Sequence, residues 1–165
     1  DFGPPPTNSF AFVPALTHPR SRGSITIKSP DMNVPAVIDP GYLNDDSDVD
    51  ALVDGFEIAR EIAAAKPLES WIAEELFPGP AVTDRKALAS HVRKVASPFF
   101  HPVSTCAMGL PHDELAVLDI ACKVRGIDGL RVVDASSFPS IPQAMTNAAV
   151  VAFAECASDI IIDDT

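Results

Sequence analysis

An α+β fold is what this sequence predicts, on three observations. Short β-favouring runs punctuated by Pro and Gly fill the chain up to Pro40, apolar residues at spacings of three and four take over from Asp48, and one short apolar run plus one helical stretch close it. Strands first, then helices, then a lone strand–helix unit do not make a complete βαβ series. If Leu130 to Val133 is a parallel strand, the rest of its sheet must come from other sequence.

Each element has its own reason. The run Gly3-Pro4-Pro5-Pro6 can enter neither a helix interior nor a central strand, and reads as an extended leader. Phe10-Ala11-Phe12-Val13 and Gly23-Ser24-Ile25-Thr26-Ile27-Lys28 read as strands, the second with Ile25 and Ile27 alternating. Pro35-Ala36-Val37-Ile38-Asp39-Pro40 is a third, held to an edge or strand end by its prolines. Val49, Leu52, Val53, Phe56, Ala59, Ile62 and Ala63 then mark a helix, with Ser47 or Asp48 as N-cap. A second helix is expected from Leu68 to Leu76, before Phe77-Pro78-Gly79-Pro80, and a third from Asp84 to about Val95. Gly129-Leu130-Arg131-Val132-Val133-Asp134 reads as a short buried strand. Thr146 opens a last helix with Ala149, Val150, Phe153, Ala157, Ile160 and Ile161 on its apolar face.

Composition narrows the function classes. The formal charge is −11, from 23 acidic against 12 basic residues, and no Lys/Arg-rich run exists to neutralise a phosphate backbone, so nucleic-acid binding is not expected. The most hydrophobic stretch, Ala148 to Ile162, is interrupted by Glu155 and Asp159, which argues against a transmembrane helix. Cys106, Cys122 and Cys156 fit neither a redox pair nor a zinc knuckle and are expected to be free, buried thiols; no metal site is expected. With no Asn-x-Ser/Thr acceptor, an intracellular setting is the expectation. The first residue is Asp1, so a start downstream of an initiator Met is expected.

The segment after Pro98 concentrates the chemistry. His101 lies beside Phe99, Phe100 and Pro102, a setting expected to desolvate an imidazole and hold it in one position. Taken alone, it reads more readily as a core histidine capping a turn. Asp134-Ala135, at the end of the expected strand, suits a nucleotide lying across strand termini, although Asp134 alone could cap the next turn. Arg125 and Arg131 read as solvent-facing charges. The helix opening at Thr146 presents unpaired amides and the positive end of its dipole, and Ala148 and Ala149 are small enough to admit a flat ring.

Three blocks in series carry a resemblance. Phe100-His101-Pro102-Val103-Ser104-Thr105-Cys106-Ala107-Met108-Gly109, then Val124-Arg125-Gly126-Ile127-Asp128-Gly129-Leu130-Arg131-Val132-Val133-Asp134-Ala135-Ser136, then Pro139 through Thr146-Asn147-Ala148-Ala149 to Ala154-Glu155, together resemble the carboxy-terminal part of glucose-methanol-choline (GMC) oxidoreductases. A looser likeness covers Pro14 to Ser24 and Ile38-Asp39-Pro40. The resemblance implies a substrate-cap sheet with helices, mainly in residues 1–97. It also implies, in residues 98–165, the last strand and helix of a Rossmann-like FAD domain completed by an amino-terminal chain or fragment of the same protein.

It further implies FAD as cofactor, a small alcohol as substrate, and His101 as the general base while hydride passes to the flavin. Pro102, Val103, Asp134, Ala135, Thr146, Asn147 and Ala148 fall at flavin-contacting positions. The family's second polar residue, His or Asn, falls here on Met145, which offers only a weak acceptor, so that Gln143 or Asn147 becomes the candidate to reach substrate. Two other readings follow: acid–base work by His101 beside a structural flavin, as in hydroxynitrile lyases or cyclases, and a non-catalytic cap subunit. None of the eight glycines supplies the Gly-x-Gly-x-x-Gly turn for the adenosine diphosphate. Activity is therefore expected only together with the amino-terminal FAD-binding portion.

Overall fold

A computed structural model describes residues 6–164. The fold is α+β, with one two-stranded sheet and several helices among the described residues. Gly3, Pro4 and Pro5 of the expected leader lie outside them. The chain forms two compact units, Asp1–Leu16 with Asp45–Ser97, and Thr17–Asn44 with Pro98–Thr165.

The first unit is helical. Helix α1, Asp46–Ala63, is capped by Asp45, whose carboxylate accepts from Ser47 N at 2.9 Å, two to three residues ahead of the expected Ser47 or Asp48. Helix α2 is only Lys66–Glu69, shorter than the expected Leu68–Leu76. None of its residues is buried and Trp71 is 79% exposed, so no apolar face repays the ordering of further turns. Instead the chain beyond α2 is tied by Glu75, which takes a bidentate ion pair from Arg60 at 2.8 and 3.0 Å. Helix α3, Arg85–Val95, is capped by Asp84. Val49 and Val53 of α1 pack with Leu88 and Val92 of α3, all fully buried, and Arg85 reaches back to Glu57 and Asp54 at 2.7 and 2.8 Å.

Phe10–Val13 forms no strand. The Phe10 and Phe12 rings meet edge to face at 5.5 Å, but this stretch has no ladder partner among the described residues, and β-propensity without pairing leaves an extended segment.

In the second unit, β1 (Ser24–Thr26) and β2 (Val37–Asp39) pair antiparallel, with Ser24 opposite Asp39 and Ile25 opposite Ile38. Two glycines make the pairing possible at its open end. A Cβ on Gly23 would stand 2.2 Å from Asp39 O, and one on Gly41, where φ is +61°, would stand 2.2 Å from Arg22 O. Helix α4 is Thr146–Asp163, with Ala157 buried and Phe153 edge-on to Phe138 at 5.4 Å.

The expected strand Gly129–Asp134 is not one. Gly126 and Gly129, at φ +78° and +74°, reverse the chain so that it folds back on residues 122–124. A single antiparallel bridge, Lys123 to Arg131, and the bonds Val124 N to Leu130 O (2.9 Å) and Val132 N to Cys122 O (3.1 Å) result. Arg125 and Arg131 are also not the free surface charges expected. Arg125 donates to the carbonyls of Asp113, Gly109 and Leu110 at 2.7–2.8 Å, while Arg131 donates to Ala121 O and pairs with Asp164. Asp164 also takes Lys123 Nζ at 2.6 Å, a bond that holds its carboxyl below the ordinary range. Of the three thiols, all free, Cys122 is buried, which raises its pKa, whereas Cys156 is exposed, against expectation. Among the described residues no helix is long and apolar enough to cross a membrane, and no cluster could hold a metal.

The chain's most constrained stretch is the ladder between residues 104–108 and the 3₁₀ turn Ala135–Ser137. Ser104 N, Cys106 N and Met108 N donate to the carbonyls of Ala135, Ser136 and Ser137 at 3.3, 2.9 and 3.0 Å. The turn is held from within. Asp134 accepts from Ser136 N at 2.7 Å, and Ser137, fully buried, donates its hydroxyl to Val132 O at 2.8 Å.

Three outcomes are expected. Leu88→Ala removes the best-buried contact between α1 and α3 and lowers stability by about 2–5 kcal/mol in chemical denaturation. Ser137→Ala strands the Val132 carbonyl and lowers it by about 1–3 kcal/mol. His91, edge-on to Phe56 at 5.8 Å, has its pKa lowered from 6.5 first by burial and then by Lys94 and Arg60, with Glu75 opposing. A lowered folded value means the unfolded chain binds this proton more readily. The contribution is thus complete above pH 6.5 and is lost as the pH falls through the lower folded value. The denaturation midpoint should drop on acidification from about pH 7 to about pH 5, and His91→Gln should flatten that drop.

Candidate functional site

His101 sits on the loop between Pro98 and Gly109, whose far half is the strand-like ladder on the Ala135–Ser137 turn. Two residues of this loop take left-handed backbone, Phe100 at φ +60° and Ser104 at φ +71°. They have different consequences. At Phe100 the turn throws the ring outward, leaving it 85% exposed, so the expected double aromatic shield around His101 is half absent. Phe99 alone meets the imidazole, edge-on at 5.7 Å, and His101 is half-buried rather than desolvated. At Ser104 the reversal turns the N–H toward Ala135 O and starts the ladder.

The contact that defines the site joins this loop to the start of α4. His101 Nε2 lies 3.2 Å from Met145 Sδ, 44 residues on in sequence. Met145 is the N-cap of α4 and supplies no side-chain bond to the helix's first amides. Its side chain points away from the helix end and onto the imidazole. Thr146 is buried, whereas Asn147 and Ala148 on the same first turn are exposed. One step before, Gln143 lies with its amide nitrogen 3.4 Å from His18 Nδ1, so the Gln143–Met145 approach to α4 meets two histidines, one through each side chain.

The remaining residues singled out from the sequence are distributed as follows. Pro102 and Val103 follow His101 on its loop, Pro102 exposed and Val103 half-buried. Asp134 directs its carboxylate at the Ser136 amide and hydroxyl, and Ala135 gives its carbonyl to Ser104. Asp134 and Ala135 thus bear on His101 through backbone, not through direct contact. Two participants escaped the sequence reading. Ser137 carries a signal, the Asp-x-x-Ser spacing from Asp134 that resembles a capping box, but His18 has none beyond its place in Thr17-His18-Pro19.

A family model described as GMC oxidoreductase matches residues 19–154. Patulin synthase of Aspergillus clavatus is 41% identical over 151 residues, covering 90% of this chain and 24% of its own length. Choline oxidase of Arthrobacter globiformis is 36% identical over 160 residues, covering 96% and 29%. Among solved structures, pyridoxine 4-oxidase from Mesorbium loti superposes with a TM-score of 0.80 at 34% identity, covering 87% of this chain and 28% of that one. The chain therefore spans about a quarter of the length of the curated relatives it matches. On the family match, the close relatives and the superposition together, the chain belongs to the GMC oxidoreductase family, as its carboxy-terminal domain.

Proposed function

We propose that this chain supplies the acid–base half of an FAD-dependent oxidoreductase acting on the CH–OH group of a small alcohol, with His101 as general base. The observation that carries the reading is the meeting of His101 with the open first turn of α4 at Met145, 3.2 Å apart. Chemistry that removes a hydroxyl proton and a carbon-bound hydrogen together needs a base beside an electron acceptor. When bound, FAD supplies that acceptor. Related proteins include an alcohol dehydrogenase of Pseudomonas putida and a choline oxidase, which agrees with this substrate class.

The chain's own residues suit that group. The first amides of α4 have no side-chain cap, and the positive end of the helix dipole there favours negative charge on a flat ring. Asn147 and Ala148 are exposed at this turn, and Ala148 is small enough to permit close approach. His101 takes the hydroxyl proton, held by the Phe99 ring on one side and by its ladder-fixed loop on the other. Pro102, Val103, Asp134, Ala135, Thr146, Asn147 and Ala148 are the flavin-facing positions. Residues 1–97 serve mainly to bind substrate, and residues 98–165 complete the flavin domain with an amino-terminal FAD-binding portion.

The 165-residue chain alone should carry no stoichiometric flavin absorbance. Joined to the amino-terminal FAD-binding portion, it should bleach the flavin on addition of an alcohol substrate. His101→Ala should lower kcat/KM by about 10²–10⁴-fold with flavin still bound. Turnover without bleaching would point to lyase-like or cyclase-like chemistry, a flavin-bound complex inert to every alcohol would point to a binding subunit, and unchanged rates in His101→Ala would remove His101 from the base role.

A further inference from the structure

We propose that Met145 is a positioning residue that fixes which nitrogen of His101 carries the proton, and thereby restrains the base until an oxygen of the substrate displaces its sulfur. The inference rests on the reading of His101 as the base. A thioether carries no hydrogen and can only accept. At 3.2 Å from Met145 Sδ, His101 Nε2 is therefore the donor. A neutral imidazole holds one proton, so the resting ring is Nε2–H with its lone pair on Nδ1. Nε2, the nitrogen turned toward the first turn of α4, is then both protonated and covered.

Two events free it. The sulfur must yield its place to the substrate hydroxyl, and the ring must exchange tautomers, Nε2 giving its proton to water while Nδ1 takes one from water, the ring staying neutral. A hydroxyl, unlike a thioether, can also donate, so an alcohol in the sulfur's place can hold the ring once Nε2 carries the lone pair, whereas a hydrocarbon or a second thioether cannot. Met145 is 61% exposed, which leaves its side chain room to swing aside. The device thus favours oxygen-bearing substrates through a weak bond to the base, rather than through a second polar residue that grips the hydroxyl.

The test uses two variants of similar length and opposite character. Met145→Leu removes the acceptor, and Met145→Gln replaces it by an amide that can accept from Nε2–H or donate to the Nε2 lone pair. Nitrogen-15 spectra of the imidazole, recorded on the 165-residue chain with the ring neutral, report the tautomer directly. The ratio of Nε2–H to Nδ1–H should fall by about 2–10-fold in Met145→Leu and change less in Met145→Gln. In the flavin-bearing enzyme, kcat/KM for an alcohol should rise by a similar factor in Met145→Leu and be no lower in Met145→Gln; a merely structural role would lower both. A tautomer ratio unmoved in Met145→Leu overturns the proposal, as does a fall of kcat/KM in both variants. If the ratio moves as expected but the enzyme bleaches with no alcohol, the functional reading fails and the proton assignment stands.

Discussion

Three main-chain hydrogen bonds from Ser104, Cys106 and Met108 to the Ala135–Ser137 turn fix where His101 can be, and most of the second unit is arranged to keep them in place. The turn would be a weak platform by itself, since a 3₁₀ turn of three residues has little internal bonding. It is made rigid by two side chains acting from opposite sides. Asp134 closes it from the start, and the buried Ser137 hydroxyl anchors it to Val132. Below the ladder, Arg125 gathers three carbonyls of the Gly109–Asp113 bend, adding to the turn bonds Asp113 N to Leu110 O and Ala116 N to Asp113 O. A loop-built site gains the fixity of a sheet without being one.

Charge follows the same division. With a surplus of acidic residues overall, the chain spends its few arginines on structure: Arg60, Arg85 and Arg93 tie the helical unit, while Arg125 and Arg131 tie the loops. Surface pairs such as Arg85 with Asp54 and Glu57 contribute little each. The arginine bonds to carbonyls matter more, because a guanidinium makes charge-assisted bonds and Arg125 joins three carbonyls of one bend.

How much of this was legible in the sequence depended on whether a residue's partner was close along the chain. Helices α1, α3 and α4 were, since spacings of three and four report burial of one face, and Asp84 and the Pro-bounded loops mark ends locally. Strands were read only in part. Ser24–Thr26 and Val37–Asp39 have each other, but Phe10–Val13 has no ladder partner among the described residues and Gly129–Asp134 meets its neighbour at a single bridge. For the site, the blocks around His101, Asp134 and Thr146 were recognisable as motifs, and Met145 could be placed by counting back from Thr146. The wide sequence separation of His101 and Met145 hid their contact. The outward turn of Phe100 was equally hidden, because a φ of +60° at a phenylalanine leaves no mark in composition.

The ladder has an evolutionary corollary. Because alternate amides of one segment meet successive carbonyls of the other, the two are in register like the teeth of a zip, and neither can gain or lose a residue alone. A single insertion between Ser104 and Met108 would present each carbonyl with the wrong amide and rotate His101 off Met145. Length variation in descendants of this domain should accordingly be confined to the bends between the two segments, around Pro111 and Ile127, where the chain is exposed and nothing is counted.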